Sequence, residues 1–192
     1  MSLYSFMRPL LIGFVAYLLP ALAFASPVHN GQGDMNFNLG SWTVHIKTLH
    51  RSAGVNHWNN FEGTAVVHKV WAGRAQLEEI EAKGMAGHLQ ALVLFLYDPQ
   101  TGQWNKTFAT SSDGLLGQPM YGEFKNGRGE FYDQELFHGR VALLRAVWSH
   151  ITATSSCFEE SSSDDGGRTW EPYFIAKFRR STNRRSEKTS KG

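Results

Sequence analysis

Few residues in this chain have the types and spacing that chemistry requires. Glu79 and Glu81 lie two apart on one face of a strand-like run. That spacing serves a general acid/base pair, and it equally marks the solvated side of a strand. His150 has the parity of Leu144, Ala146 and Trp148, which would aim its imidazole into a cavity. The plainer reading is a core or rim histidine satisfied by a hydrogen bond. Glu79 and His150 are therefore the two candidates for proton transfer. The other histidines are His29, His45, His50, His57, His68, His88 and His138, and none makes a His-x-His pair. The sequence has no Cys/His cluster with metal-ligand spacing either, so no metal site is expected. Cys157, the single cysteine, has no base beside it in sequence and reads as a small buried hydrophobe. One cysteine makes no internal disulfide, so an apolar core must hold the fold.

The elements that would position these groups are short and alternate with period two. Residues 41–51 place Trp42, Val44, Ile46 and Thr48 on one face and Thr43, His45 and Lys47 on the other. Comparable runs cover 61–71, 75–82, 89–97, 103–110, 117–125, 129–137, 141–151, 154–160 and 169–178. Turn signals separate them, among them Asp98-Pro99…Gly102 and Asn126-Gly127. Ten strands at hairpin spacing, with no convincing helix beyond a turn or two, predict an all-β antiparallel meander. It closes either as a sandwich or as a barrel. Without a long crossover a barrel is the simpler closure, and it removes the edge strands. A ten-stranded barrel is wider than side chains alone fill, so a cavity is expected. Strand parity assigns its lining to Trp58, Val66, His68, Trp104, Phe108, Trp148, His150 and Phe174.

The last hairpin carries its own signature, Ser163-x-Asp165-x-Gly167-x-Thr169-Trp170. This fits the Asp-box, in which Asp and Ser cap turn amides while Trp packs against the turn. Propellers of the sialidase type repeat the motif blade by blade. Here it occurs once and reads as a structural hairpin. After it, Trp170, Phe174, Ala176 and Phe178 are assigned to one strand face.

Residues 1–25 combine one cation (Arg8), an apolar run and Ala23-Phe24-Ala25. This is the pattern of a secretory signal peptide cut near Ala25; the alternative, a membrane anchor, is disfavoured by Pro20. Cleavage would leave 167 of the 192 residues, enough for one domain with a sizeable core. Residues 26–38 read as a flexible arm, 39–180 as the barrel and 181–192 as a basic, disordered tail. From residue 26 to 178 there are 12 Lys and Arg against 16 Asp and Glu, which argues against a nucleic-acid partner. Residues 89–97 are apolar on both faces. An outward row of Leu92, Leu94 and Leu96 requires a cover: the N-terminal arm, the 111–119 loop, or a second copy of the chain.

The two ends of the barrel carry a resemblance. Gly40-Ser41-Trp42 opens the first strand and Phe178-Arg179-Arg180 ends the last. Between them stand Tyr97-Asp98-Pro99…Gly102…Trp104 and the Ser163–Trp170 signature. In this order the motifs resemble uncharacterised bacterial secreted lipocalin-like proteins of the calycin superfamily, distantly related to the nitrobindins. The resemblance spans residues 37–180. It implies a first-strand Trp, here Trp42 aimed inward by Gly40, sealing one end of the barrel. It also implies a last-strand Arg across that Trp, assigned by parity to Arg180. The nitrobindin relatives ligate haem through a histidine near the C-terminal strand, but residues 170–180 contain none.

The expectation is a periplasmic or secreted barrel that binds a small, largely apolar ligand without a cofactor, haem being the one cofactor the resemblance raises. Two alternatives stand beside it. One is a calycin-type isomerase or hydrolase using Glu79 or His150. The other is a ligand-free assembly module using residues 89–97, with a homodimer as its simplest form.

Overall fold

The computed structural model describes residues 30–52, 55–137 and 140–181. The expected signal peptide, the tail beyond Ser181, His29 and His138 lie outside the described residues. A 3-10 helix, Gly31–Asn38, leads into β1 (Gly40–Ser52) and β2 (Val55–Val70). After a short turn come β3 (Ala75–Gly84), β4 (Gly87–Asp98), β5 (Gln103–Thr110) and β6 (Met120–Lys125). The chain ends with β7 (Arg128–Phe137), β8 (Arg140–Ser149), β9 (Ser155–Ser163) and β10 (Glu171–Arg180). All ten strands close into one antiparallel barrel in meander order, with β10 paired back to β1.

Alternation decides which side chains enter. On β1, Trp42, Val44 and Ile46 are buried while Ser41 and Thr43 are exposed. Across the ladder, Ala65 and Val67 of β2 and Ile80 and Ala82 of β3 continue the inner layer. The tight β6–β7 turn places Asn126 and Gly127 at φ 52° and 73°, as an Asn-Gly hairpin requires. A glycine is needed inside a strand at position 63. A Cβ there would sit 1.9 Å from the Glu81 carbonyl oxygen, so β2 and β3 approach closely at that point.

Two expectations are corrected here. Residues 31–38 are not a loose arm. They form the 3-10 helix that plugs one end of the barrel, with Met35 and Asn38 fully buried. Barrel side chains meet the helix carbonyls that would otherwise lack donors. Trp104 Nε1 donates to Gly31 (2.9 Å), Gln76 Nε2 to Met35 (2.9 Å) and Trp42 Nε1 to Asn38 (2.7 Å). Trp170 does not share the face of Phe174, because the β9–β10 register shifts between Pro172 and Phe174. It lies instead against Arg145, 4.3 Å from its ring, and Tyr132.

The Ser163–Trp170 turn bonds to itself. Asp165 Oδ1 accepts from the amides of Arg168 (2.9 Å) and Thr169 (3.0 Å), and its Oδ2 accepts from the Thr169 hydroxyl (2.7 Å). Ser163 Oγ accepts from the Gly167 amide at 2.8 Å. These hydrogen bonds all stay within the turn, which is what a structural hairpin needs.

Candidate functional site

The plugged end is sealed by residues from both termini of the barrel. Trp42 is fully buried, and the Arg180 guanidinium lies 3.8 Å from the centre of its ring. Arg180 also donates to the carbonyls of Leu39 and, at 3.0 Å, of Phe37. Gly40 stands at φ +103°, and a Cβ there would fall 2.9 Å from Arg180 Nη1. Gly40, Trp42 and Arg180 thus meet in one closure.

Above this closure lies a cavity of ≈ 250 Å³. Its walls are mostly apolar: Ile80, Val93, Phe95, Phe108, Trp148, Phe158, Phe174 and Phe178 contribute to them. Phe108 is 41% exposed and stands where the wall meets solvent. Four polar groups converge in this apolar setting. Lys106 of β5 pairs with Glu160 of β9, both nearly inaccessible to water. The Lys106 ammonium also lies 5.1 Å from the Phe108 ring centre and 5.0 Å from that of Phe158. Tyr173 enters because the register shift in β10 turns it inward beside Phe174. Burial, reinforced by the Glu160 charge, pushes its phenol up.

Glu78 is the fourth group and the deepest. It is 2% exposed, and Asn38 Nδ2 of the plug donates to its Oε2 at a long 3.5 Å. Among the described residues Oε1 has no hydrogen-bond partner, and neither has Trp148 Nε1 in the same walls. Burial raises the Glu78 carboxyl from an ordinary 4.5 to about 7, against the opposing effects of Asn38 and Lys106. A carboxyl poised near neutrality in an apolar cavity can accept or donate a hydrogen bond, carry charge, or move a proton.

The parity assignments divide. Phe108, Trp148 and Phe174 line the cavity. Trp104 faces inward but is used by the plug, through its bond to Gly31. Trp58, Val66 and His68 do not line it. Phe61, Ala65 and Val67 hold the inner face of β2, and Trp58 is 37% exposed. His150 is also displaced: β8 ends at Ser149, and His150 turns outward at φ 50°, exposed, its Nδ1 3.1 Å from Ser149 Oγ. Glu79 and Glu81 point to solvent, because β3 alternates without a break and its inward set is Gln76, Glu78, Ile80 and Ala82. Glu81 is spent on Gln90 and His88. The missed residues carried a readable signal. Glu78 is in phase with Ile80, Lys106 with Trp104 and Phe108, and Glu160 with Phe158. Cys157 is half-buried on the opposite face from Phe158 and its thiol is pushed up by burial, so no thiolate nucleophile is set up. Among the described residues no histidine, cysteine or methionine lines the cavity, and burial opposes ionisation of the Tyr173 phenol there, so these residues do not fit a haem ligated through histidine, thiolate, methionine or phenolate.

No protein-family model matches the chain, and no curated protein does. Among solved structures it is similar to the S-type phycobiliprotein lyase CPES from Guillardia theta. The TM-score is 0.55 at 8% identity, over 81% of this chain and 95% of that one. A de novo designed fluorescence-activating β-barrel aligns more loosely, with a TM-score of 0.42 at 13% identity over 77% of this chain and 98% of the design. At such identity the lyase likeness speaks to the barrel fold alone.

Proposed function

We propose that this chain is a small-molecule-binding barrel whose ligand is largely apolar with one polar end. The observation that carries this reading is the cavity itself. An apolar space of ≈ 250 Å³ exceeds the roughly 150 Å³ cavity that is known to admit benzene, and it has unpartnered polar atoms in its walls. A barrel selected only for stability would fill such a space, since empty volume costs stability at about 24 cal/mol per Å³. A ligand of roughly one ring and a short chain would supply the missing contacts. Native mass spectrometry of the protein purified from its own host tests this. A co-purified mass that leaves on denaturation is expected, together with a raised melting temperature in its presence. A protein that is ligand-free by mass and unmoved in melting temperature by any apolar small molecule would count against it.

The proposal includes export through the 1–25 leader, checked by the N-terminus of the mature protein, and self-association through the outer face of residues 89–97. One observation favours a second reading, an enzyme acting on a bound apolar substrate. Glu78, near-neutral in its pKa and beside the Lys106–Glu160 pair, is positioned as an acid/base group. Chemical change in the bound molecule, lost in Glu78→Gln, would separate catalysis from binding.

A further inference from the structure

The polar end of the ligand can be specified from the charges that surround it. We propose that the barrel takes a lipophilic amine, bound as its ammonium with the nitrogen against Glu78; this rests on the binding reading above. The inner surface is unbalanced in sign. Among the described residues its one buried cation, Lys106, is already paired with Glu160. Glu78 keeps an oxygen without a partner, and it lies deep in the same cavity. Further towards the open end, Asp133 and Glu135 of β7 sit on the inner face, opposite Leu144 and Ala142 of β8. Asp133 Oδ2 is likewise buried without a partner among the described residues. Both acids are close enough to raise the Tyr173 phenol, which itself stays neutral.

A carboxylate ligand would add a like charge here and find Lys106 already engaged. An alcohol would satisfy a hydrogen bond and leave the field uncompensated. An ammonium answers both the orphan oxygen and the net negative field, and the walls can solvate it. Lys106 shows how: its own ammonium rests on a carboxylate and within 5.1 Å of two phenyl ring centres in this cavity. Aromatic faces stabilise desolvated ammonium groups in this way. Trp148 Nε1 asks for an acceptor instead, so it would discriminate among amines by their oxygen substituents.

The groups facing Glu78 are Asn38 from the plug and Lys106 from β5, with Glu160, Tyr173, Asp133 and Glu135 beyond. None of these is a histidine. The ionisation of Glu78, near pH 7, therefore sets how strongly an ammonium is held around neutrality.

Calorimetric titration with phenethylamine, phenethyl alcohol and phenylacetate tests the proposal on the full mature chain. At pH 8 the amine should bind at least about tenfold more tightly than the alcohol, with phenylacetate weakest. Amine affinity should rise about tenfold from pH 6 to pH 8 as Glu78 ionises. Glu78→Gln keeps the acceptor for Asn38 and should erase both effects while leaving alcohol binding in place. An amine no tighter than the alcohol, or a preference that survives Glu78→Gln, overturns the amine assignment and leaves the cavity reading standing. Binding of none of the three overturns both. The wild-type pH profile and the alcohol comparison keep the test decisive if the variant folds poorly.

Discussion

Glu78 is where a single side chain most affects both stability and function. The folded chain holds its proton at pH values where an unfolded glutamate has released it. The folded state therefore binds the extra proton between about 4.5 and about 7, and stability falls as pH rises through that window. By pH 8 the loss is on the order of 3 kcal/mol. Denaturant melts at pH 4.5 and pH 8 should show this slope in the wild type and a flatter one in Glu78→Gln; equal slopes would remove Glu78 as the cause. The Trp42–Arg180 contact gives a second test at this scale. Trp42→Ala should cost about 3–5 kcal/mol through the cavity it leaves. Arg180→Ala should cost about 2–3 kcal/mol, because it removes a stack and leaves two plug carbonyls short of a charged donor. The double variant should lose less than the sum, since each partner's contribution depends on the other. Strict additivity would mean that the two do not act as a unit.

At the scale of elements, the β9–β10 hairpin shows what local sequence can specify. Its hydrogen bonds run between residues at most four apart, from Ser163 to Thr169, so residue types and spacing suffice to read it. Those bonds hold the Asp165 carboxyl down at about 2. A depressed carboxylate contributes stability above its ordinary 3.8, and that contribution is lost as pH falls towards 2. Asp165→Asn should lower the melting temperature at pH 6 and change it little near pH 2; an equal loss at both would show that charge is not what the turn uses. Strand number and β1 parity were legible for the same local reason. What escaped was any departure from alternation. Glu78 escapes for another reason: β3 alternates without a break from Gln76, and composition alone reads a carboxylate as solvent-facing even in phase with Ile80 and Ala82. The shift at Pro172–Phe174 brings Tyr173 inward with no mark in composition. The plug was illegible because its burial is supplied by distant partners, Trp42, Gln76, Trp104 and Arg180, and not by a helical pattern of its own.

For the molecule as a whole, closure directs where another chain can attach. In the closed meander most strand edges are taken up by the next strand, the ladders stopping short at residues 49–52 of β1 and 55–60 of β2, so side-chain faces make up most of the surface that another chain can use. The outer face of β4 carries the apolar row Leu92, Leu94 and Leu96, beside a β3 row of Leu77, Glu79, Glu81 and Lys83. Leu77 lies opposite Leu94 and Glu79 opposite Leu92 in the ladder, and Leu92 is 48% exposed. Among the described residues neither intramolecular cover buries Leu92, which stays 48% exposed. The N-terminal segment from Gly31 is committed to the plug. The 111–119 loop is tied to β5, where the Gly117 amide donates to Phe108 at 2.8 Å and Thr107 Oγ1 to the Gly117 carbonyl at 2.7 Å. A second copy is then the cover that the proposed self-association supplies. Light scattering should give twice the chain mass for the wild type and a monomer for Leu92→Lys, with ligand affinity unchanged because Leu92 faces away from the cavity. A monomeric wild type would withdraw the dimer and leave the cavity, the closure and the ligand proposal intact, since none of them draws a residue from the outer face.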